Sequence, residues 1–207
     1  MTINYTTLVA DKSTSGSIKN WVNYDLIPSV DMLTEAEAWI YSTLRVREME
    51  EVGSISISLA ASTVTLPTGF RDPIAIKLNS DSEALTLVDR VRFDDEVAIY
   101  DSTGALPTGH PSYFTISGTN YQFDTVMDEA KSGTQRYYKT PDALSGSNET
   151  NFLTTKYPAL LRYVCSMIGY EHRKQWDEAS RFEQRAANAI AIANAESDLA
   201  LRGAYLG

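Results

Sequence analysis

Two histidines and a single cysteine are all that these 207 residues offer to chemistry built on imidazole or thiolate. Cys165 has no second cysteine to pair with, so no intrachain disulfide can form; its apolar helical surroundings mark it as a small buried hydrophobe. His110 lies in a turn between Gly109 and Pro111, and His172 lies at the end of a helical stretch where a cation suits the dipole. Both read as structural. HExxH, CxxC, GxSxG, GxxxxGK[ST] and GxGxxG are all absent, which removes the usual signatures of zinc proteases, dithiol redox proteins, serine hydrolases and nucleotide binders. Asp94-Asp95-Glu96 and Asp128-Glu129 lack the alternating ligands and glycine of a calcium loop, so they read as solvated faces. No cofactor, metal site or catalytic residue is expected.

Long apolar runs are missing too. Nothing approaches the roughly 18 residues needed to span a bilayer, and MTINYTTLVADK has no basic start followed by an apolar segment. The expectation is a cytoplasmically made chain with no membrane partner. Positive charge is also scarce: 18 Lys and Arg against 27 Asp and Glu leave a net charge of −9 and a pI near 4.7. Tight nucleic-acid binding depends on cations that displace counterions from phosphates, so this balance disfavours it. The same balance would let DNA slide past without adhering.

What is present divides into three sections of different period. A chain this long forms one large domain or two small ones and buries roughly 70% of its unfolded surface. Residues 1–45 read as helical. Ser13 or Thr14 can open a short helix through Ile18, Trp21 and Val22, and Ile27-Pro28-Ser29 precedes a longer one with Val30, Leu33, Ile40 and Leu44 on one stripe. Glu37 interrupts that stripe, and with Glu35 it is assigned to a solvated face.

Residues 46–141 change to a period of two. SISISL followed by STVTL predicts a hairpin with Ile55, Ile57, Leu59, Val64 and Leu66 on the inner face. DPIAIKL, with Ile74, Ile76 and Leu78 on the inner face, and ALTLV, with Leu85 and Leu87, predict further strands, YFTISGTNYQF folds back at Gly118-Thr119-Asn120, and QRYYKT supplies the last. Asp89 is placed as the cap of a short helical insertion carrying Phe93, Val97 and Tyr100.

Residues 142–207 return to helix. In the run from Thr150 to Tyr163, TNFLTTKYPALLRY, Thr154 or Thr155 can cap the start and Pro158 is tolerated in the first turn. Leu160, Leu161, Val164, Met167 and Ile168 form one apolar face, and after a break near residues 171–174 Trp176, Ala179, Phe182, Ala186 and Ile190 form another. Arg45, Arg47, Arg181 and Arg185 either pair with nearby acids or grip an acidic partner. The closing run ANAESDLALRGAYLG is weakly periodic and ends in an apolar tail that needs something to cover it. The fold class is therefore α+β: helical N- and C-terminal sections packed as one small bundle, with a central antiparallel β-rich section.

The order of motifs resembles the head-to-tail adaptor proteins of tailed bacteriophages. It runs from Ile27-Pro28 and TEAEAWIYSTLRVREMEE through LPTGFRDPIAIKL, TGHPSYFTISGTNYQF and QRYYKTPDALS to TNFLTTKYPALLRY and two terminal helices. DTVMDEAKSG departs from the proline-containing hairpin of the family. The resemblance implies a homo-oligomeric ring, usually of twelve copies, in the virion neck between capsid and tail. Such a ring sits under the portal protein, extends the DNA channel and offers a platform to a downstream tail or nozzle protein. It would place the portal contact in the C-terminal tail, where Leu199, Leu201, Arg202, Tyr205 and Leu206 join apolar surface to one cation.

Two other readings compete. A tyrosine-rich sheet with polar turns could serve as a carbohydrate- or receptor-binding module of a phage tail component. A hydrolase would have to assemble a nucleophile and base from distant positions such as Ser112 and His172.

Overall fold

The computed structural model describes residues 3–204 apart from 99, 101 and 103, and describes side chains only as far as 198. The chain begins with helices α1 (Tyr5–Val9), α2 (Ile18–Trp21) and α3 (Ser29–Thr43). Strands β1 (Glu50–Ile57), β2 (Thr63–Thr65), β3 (Phe70–Leu78) and β4 (Thr86–Leu87) follow, then the single turn α4 (Arg90–Arg92). Next come β5 (Thr108–Gly109), β6 (Tyr113–Ser117), β7 (Asn120–Phe123), β8 (Val126–Met127) and β9 (Lys131–Lys139). The chain closes with α5 (Phe152–Thr155), α6 (Pro158–His172) and α7 (Trp176–Ala204). The fold is α+β. It divides into two compact units, one made of Met1–Met49 with Pro141–Gly207 and the other of Glu50–Thr140.

In the helical unit, α6 packs against both α7 and α3. The apolar stripe of α3 buries Leu33, Ala36, Ile40 and Leu44, while α6 contributes Leu160, Leu161, Val164, Cys165 and Met167. Val30, placed on the α3 stripe by its spacing, is 49% exposed. Gly169 lets the first part of the chain approach α6: a Cβ there would stand 2.5 Å from Val22 Cγ1 and 3.0 Å from Met32 Cε. Ser17, not Ser13 or Thr14, caps α2 by accepting from the Asn20 N–H.

The helix start in TNFLTTKYPALLRY differs from its reading. Asn151 is the cap, accepting from the N–H groups of Leu153 and Thr154, while the Thr154 hydroxyl accepts from the Asn151 N–H. The helix that it opens ends after one turn. Proline disfavours helical geometry in the residue before it, and Tyr157 accordingly leaves the helix at φ −120° and ψ 45°, so Pro158 starts α6 afresh. The break between α6 and α7 sits at Lys174, whose φ of 58° is left-handed. Beyond it α7 is one helix of 29 residues that runs on through the weakly periodic segment to Ala204.

The β unit contains a three-stranded antiparallel sheet ordered β1–β9–β3, a four-stranded sheet ordered β2–β7–β6–β4, and the pair β5–β8. Two pairings, β4 with β6 and β5 with β8, are parallel. The predicted β1–β2 hairpin does not form. β1 instead pairs along its whole length with β9, from Glu50 opposite Tyr138 to Ile57 opposite Lys131. A turn at Ala60, with φ 61° and its N–H donated to the Met127 carbonyl, sends β2 into the other sheet against β7. Leu59 is left 63% exposed in that turn.

β6 and β7 form the hairpin at Gly118-Thr119-Asn120 that the sequence predicts. Ile55, Ile57, Ile76, Leu78, Phe114, Tyr121 and Phe123 make the core of the unit. β3 carries register shifts at Phe70/Asp72 and Pro73/Ala75, as a prolyl nitrogen without a proton requires of an edge strand. Those shifts turn Ile74 outward, and Leu87 is also exposed, whereas both were expected inside. Asp89 caps α4 by accepting from the Arg92 N–H, and Phe93 is fully buried beneath it.

Candidate assembly surfaces

Glu37 is a further correction to the sequence reading of the helical unit, because it is buried and Glu35 is not. Its carboxylate accepts from the Leu144 N–H at 3.1 and 3.2 Å, from Asn151 Nδ2 at 3.0 Å and from the Tyr41 hydroxyl at 3.3 Å. Burial raises its pKa above the ordinary value, and the three donors pull it part of the way back. Burial also pushes up the Tyr41 hydroxyl and the Cys165 thiol, with the Glu37 charge adding to both. Cys165 is thus an inert core residue. The cluster ties α3 to the segment that opens the C-terminal helices, since Asn151 holds Glu37 with its amide nitrogen and caps α5 with its oxygen.

A second tie joins the end of α3 to α7. Asn194 Oδ1 accepts from the Arg45 N–H at 2.8 Å, and Ser197 Oγ accepts from the Arg47 N–H at 3.0 Å. Arg45 turns its guanidinium back onto the carbonyls of Tyr41 and Leu44. This arginine therefore helps to end α3. Lys156 pairs with Glu48, and Arg181 with Glu178 at 2.8 Å. Arg185 differs, because its guanidinium lies 5.3 Å from the centre of the Phe182 ring and no carboxylate among the described residues holds it.

Beside Arg185 the first turns of α6 and the middle of α7 leave a groove of about 490 Å³. Ala159, Tyr163, Ala189 and Ala193 give it an apolar lining, Ile192 stands 60% exposed in it, and Lys156, Arg185 and Glu196 form its rim. Small residues at three- and four-residue spacing on α7 open this space, for larger ones would fill it.

In the β unit, an open polar recess of about 430 Å³ is lined by Asp81, Glu83, His110, Ser112 and Tyr113 among others. His110 Nε2 stands 2.8 Å from Asp81 Oδ1, and Asp124 Oδ1 accepts from the N–H groups of Ser112 and Tyr113. Burial raises the pKa of Asp124 against the lowering effect of those two N–H groups. Ser112 belongs to this unit and His172 to the helical one. Among the described residues no three His, Cys, Asp or Glu side chains gather as metal ligands, and no helix is long and apolar enough to cross a membrane.

Of the residues assigned to portal contact, Leu199, Leu201 and Arg202 belong to the backbone of α7 but their side chains lie outside the described residues, as do Tyr205 and Leu206 entirely. The groove, Glu37, Asn194 and Ser197 were not singled out for a role in assembly by the sequence. A polar residue on an apolar stripe marks Glu37, and the i, i+3 spacing marks Asn194 and Ser197.

No curated protein matches the chain. The profile of the SU10 adaptor protein family matches residues 4–204, a span that takes in both units and every helix and strand. A chain with this α+β architecture, in which buried Glu37 and Ser197 tie one helical section to another, belongs to that family and is a phage head-to-tail adaptor protein.

Proposed function

We propose that the protein forms a closed ring of identical copies, twelve in number, beneath the portal in the virion neck, where it extends the DNA channel and presents a platform to the next tail component. The family match over residues 4–204 carries this reading. A ring needs two unlike surfaces per copy, one meeting the other on the neighbour, with about 1,000 Å² or more buried at each stable contact. Helices of 15 and 29 residues offer that area. The work is done by fitting surfaces together, without a bond made or broken.

The tail beyond residue 198 is assigned to the portal, with Leu199, Leu201, Tyr205 and Leu206 as apolar contacts and Arg202 as a cation. The net charge of −9 supports a lumen lined by acidic or neutral groups, past which packaged DNA moves without being retained. Sedimentation of the full chain with and without its portal oligomer tests the assignment. A chain ending at Asp198 keeps Asn194 and Ser197, and so keeps the tie to α3. It is expected to stay off the portal while the full chain co-sediments. Equal binding by both would refute the role of the tail, and no binding by the full chain would refute the function.

A further inference from the structure

Among the described residues of the helical unit, the exposed large apolar side chains are Leu26, Val30, Trp176 and Ile192, at 78, 49, 64 and 60% exposure. They stand at two ends. Ile192 is in the groove beside the first turns of α6. The other three belong to the opposite end of the α6–α7 hairpin, where Arg173 donates to the Val22 carbonyl at 2.6 Å and covers the Tyr24 ring, and where Gly169 meets Val22 and Met32. From Ala159 to Arg173 the rise is about 20 Å at 1.5 Å per residue.

Leu26 is held outward by its loop. Asn23 turns the chain with φ 54°, and Ile27 takes the buried position next to it at 3% exposure. Single exposed leucines are ordinary on a protein surface, but this one has complementary chemistry at the other end of the same unit. Asp25 and Asp31 flank it, and Asp25 is held only loosely, 4.0 Å from Lys12. The groove presents Arg185, whose described neighbour is a ring and not a carboxylate. A second pairing of opposite sign is available between Glu196 on the groove rim and exposed Lys174 in the hairpin turn. Apolar surface thus meets apolar surface, and both charges meet their opposites, when the Leu26 end of one copy enters the groove of another.

We propose that the groove between α6 and α7 receives the Leu26 loop of the next copy, with Arg185 facing Asp25, and that this is the head-to-tail contact of the ring. The contact rests on the ring reading above. Its two surfaces differ and lie towards opposite ends of the α6–α7 pair, so each copy keeps a free groove after donating its loop. That arrangement propagates until it closes, whereas a self-complementary patch would stop at a dimer.

The test uses the full chain on its portal oligomer. Leu26→Cys with Ile192→Cys is expected to give a covalent ladder of copies on oxidation. Leu26→Cys alone and Ile192→Cys alone should give none, and buried Cys165 stays out of the reaction. Ile192→Glu should weaken association between copies roughly tenfold or more, as loss of a central apolar anchor does. Arg185→Asp should weaken it as well, and Asp25→Arg in the same chain should restore it. Rings that form without a ladder and survive Ile192→Glu would overturn this contact while leaving the ring itself standing. A wild-type chain that binds the portal as isolated copies would overturn both.

Discussion

Replacing Glu37 probes how the helical unit is held together. Its carboxylate sits among three donors, and the Leu144 N–H has no other acceptor among the described residues. Glu37→Ala removes the acceptor and strands that N–H and one side of the Asn151 amide inside the protein. An orphaned buried donor costs about 1–3 kcal/mol, so stranding two should cost about 2–6 kcal/mol. Glu37→Gln keeps the volume and one acceptor but sets an NH2 group among donors, and should cost about 1–3 kcal/mol. The assay is favourable because Trp21, Trp39 and Trp176 all belong to the helical unit, so tryptophan fluorescence during urea unfolding reports that unit alone.

Because burial raises the pKa of Glu37 in the folded chain, the folded state binds a proton more tightly than the unfolded one. Its ionisation therefore costs stability as pH rises from the ordinary carboxylate value through the raised one. The stability difference between wild type and Glu37→Gln should narrow as pH increases from 4 to 7. A difference that widens, or a Glu37→Ala chain within about 0.5 kcal/mol of wild type, would refute the reasoning, since surface changes stay inside that range.

Three other substitutions follow from the structure. Gly133→Ala should disrupt the three-stranded sheet, because the new Cβ would lie 2.3 Å from the Lys77 carbonyl oxygen and 2.8 Å from Leu78 Cα, backbone atoms that cannot rotate away. A loss of about 2 kcal/mol or more is expected by urea titration followed by far-UV circular dichroism, and an unchanged midpoint would show that β3 can move aside. Asn194→Ala and Ser197→Ala each remove the acceptor for an N–H at the end of α3, and each should cost about 1–2 kcal/mol in the tryptophan-monitored transition. A double variant no weaker than wild type would show that water replaces both side chains.

The fold class could be read from the sequence because period is a local property. The 3.6-residue stripes of α3, α6 and α7 and the alternation in Ile55, Ile57, Ile76 and Leu78 need no knowledge of their partners. Strand pairing depends on segments far apart in the chain. SISISL and STVTL look like a hairpin until β9 is seen to satisfy all of β1, and nothing in either segment announces that distant competitor. Glu37 was misplaced for a related reason, since its three donors come from positions 41, 144 and 151 and only the first is nearby. The groove was missed because alanine spacing on α7 reads equally as tight packing or as open space. Only the position of α6 decides between them.

The helical unit is built from the two ends of the chain, with residues 50–140 lying between them. During translation α3 leaves the ribosome long before Leu144, Asn151, Asn194 and Ser197 exist to complete its environment. The β unit has all of its own residues by Thr140 and can fold first, at synthesis rates of about 5–20 residues per second. The groove is made late in this way, so a growing polypeptide has no finished groove to offer a neighbour until its last helix is complete.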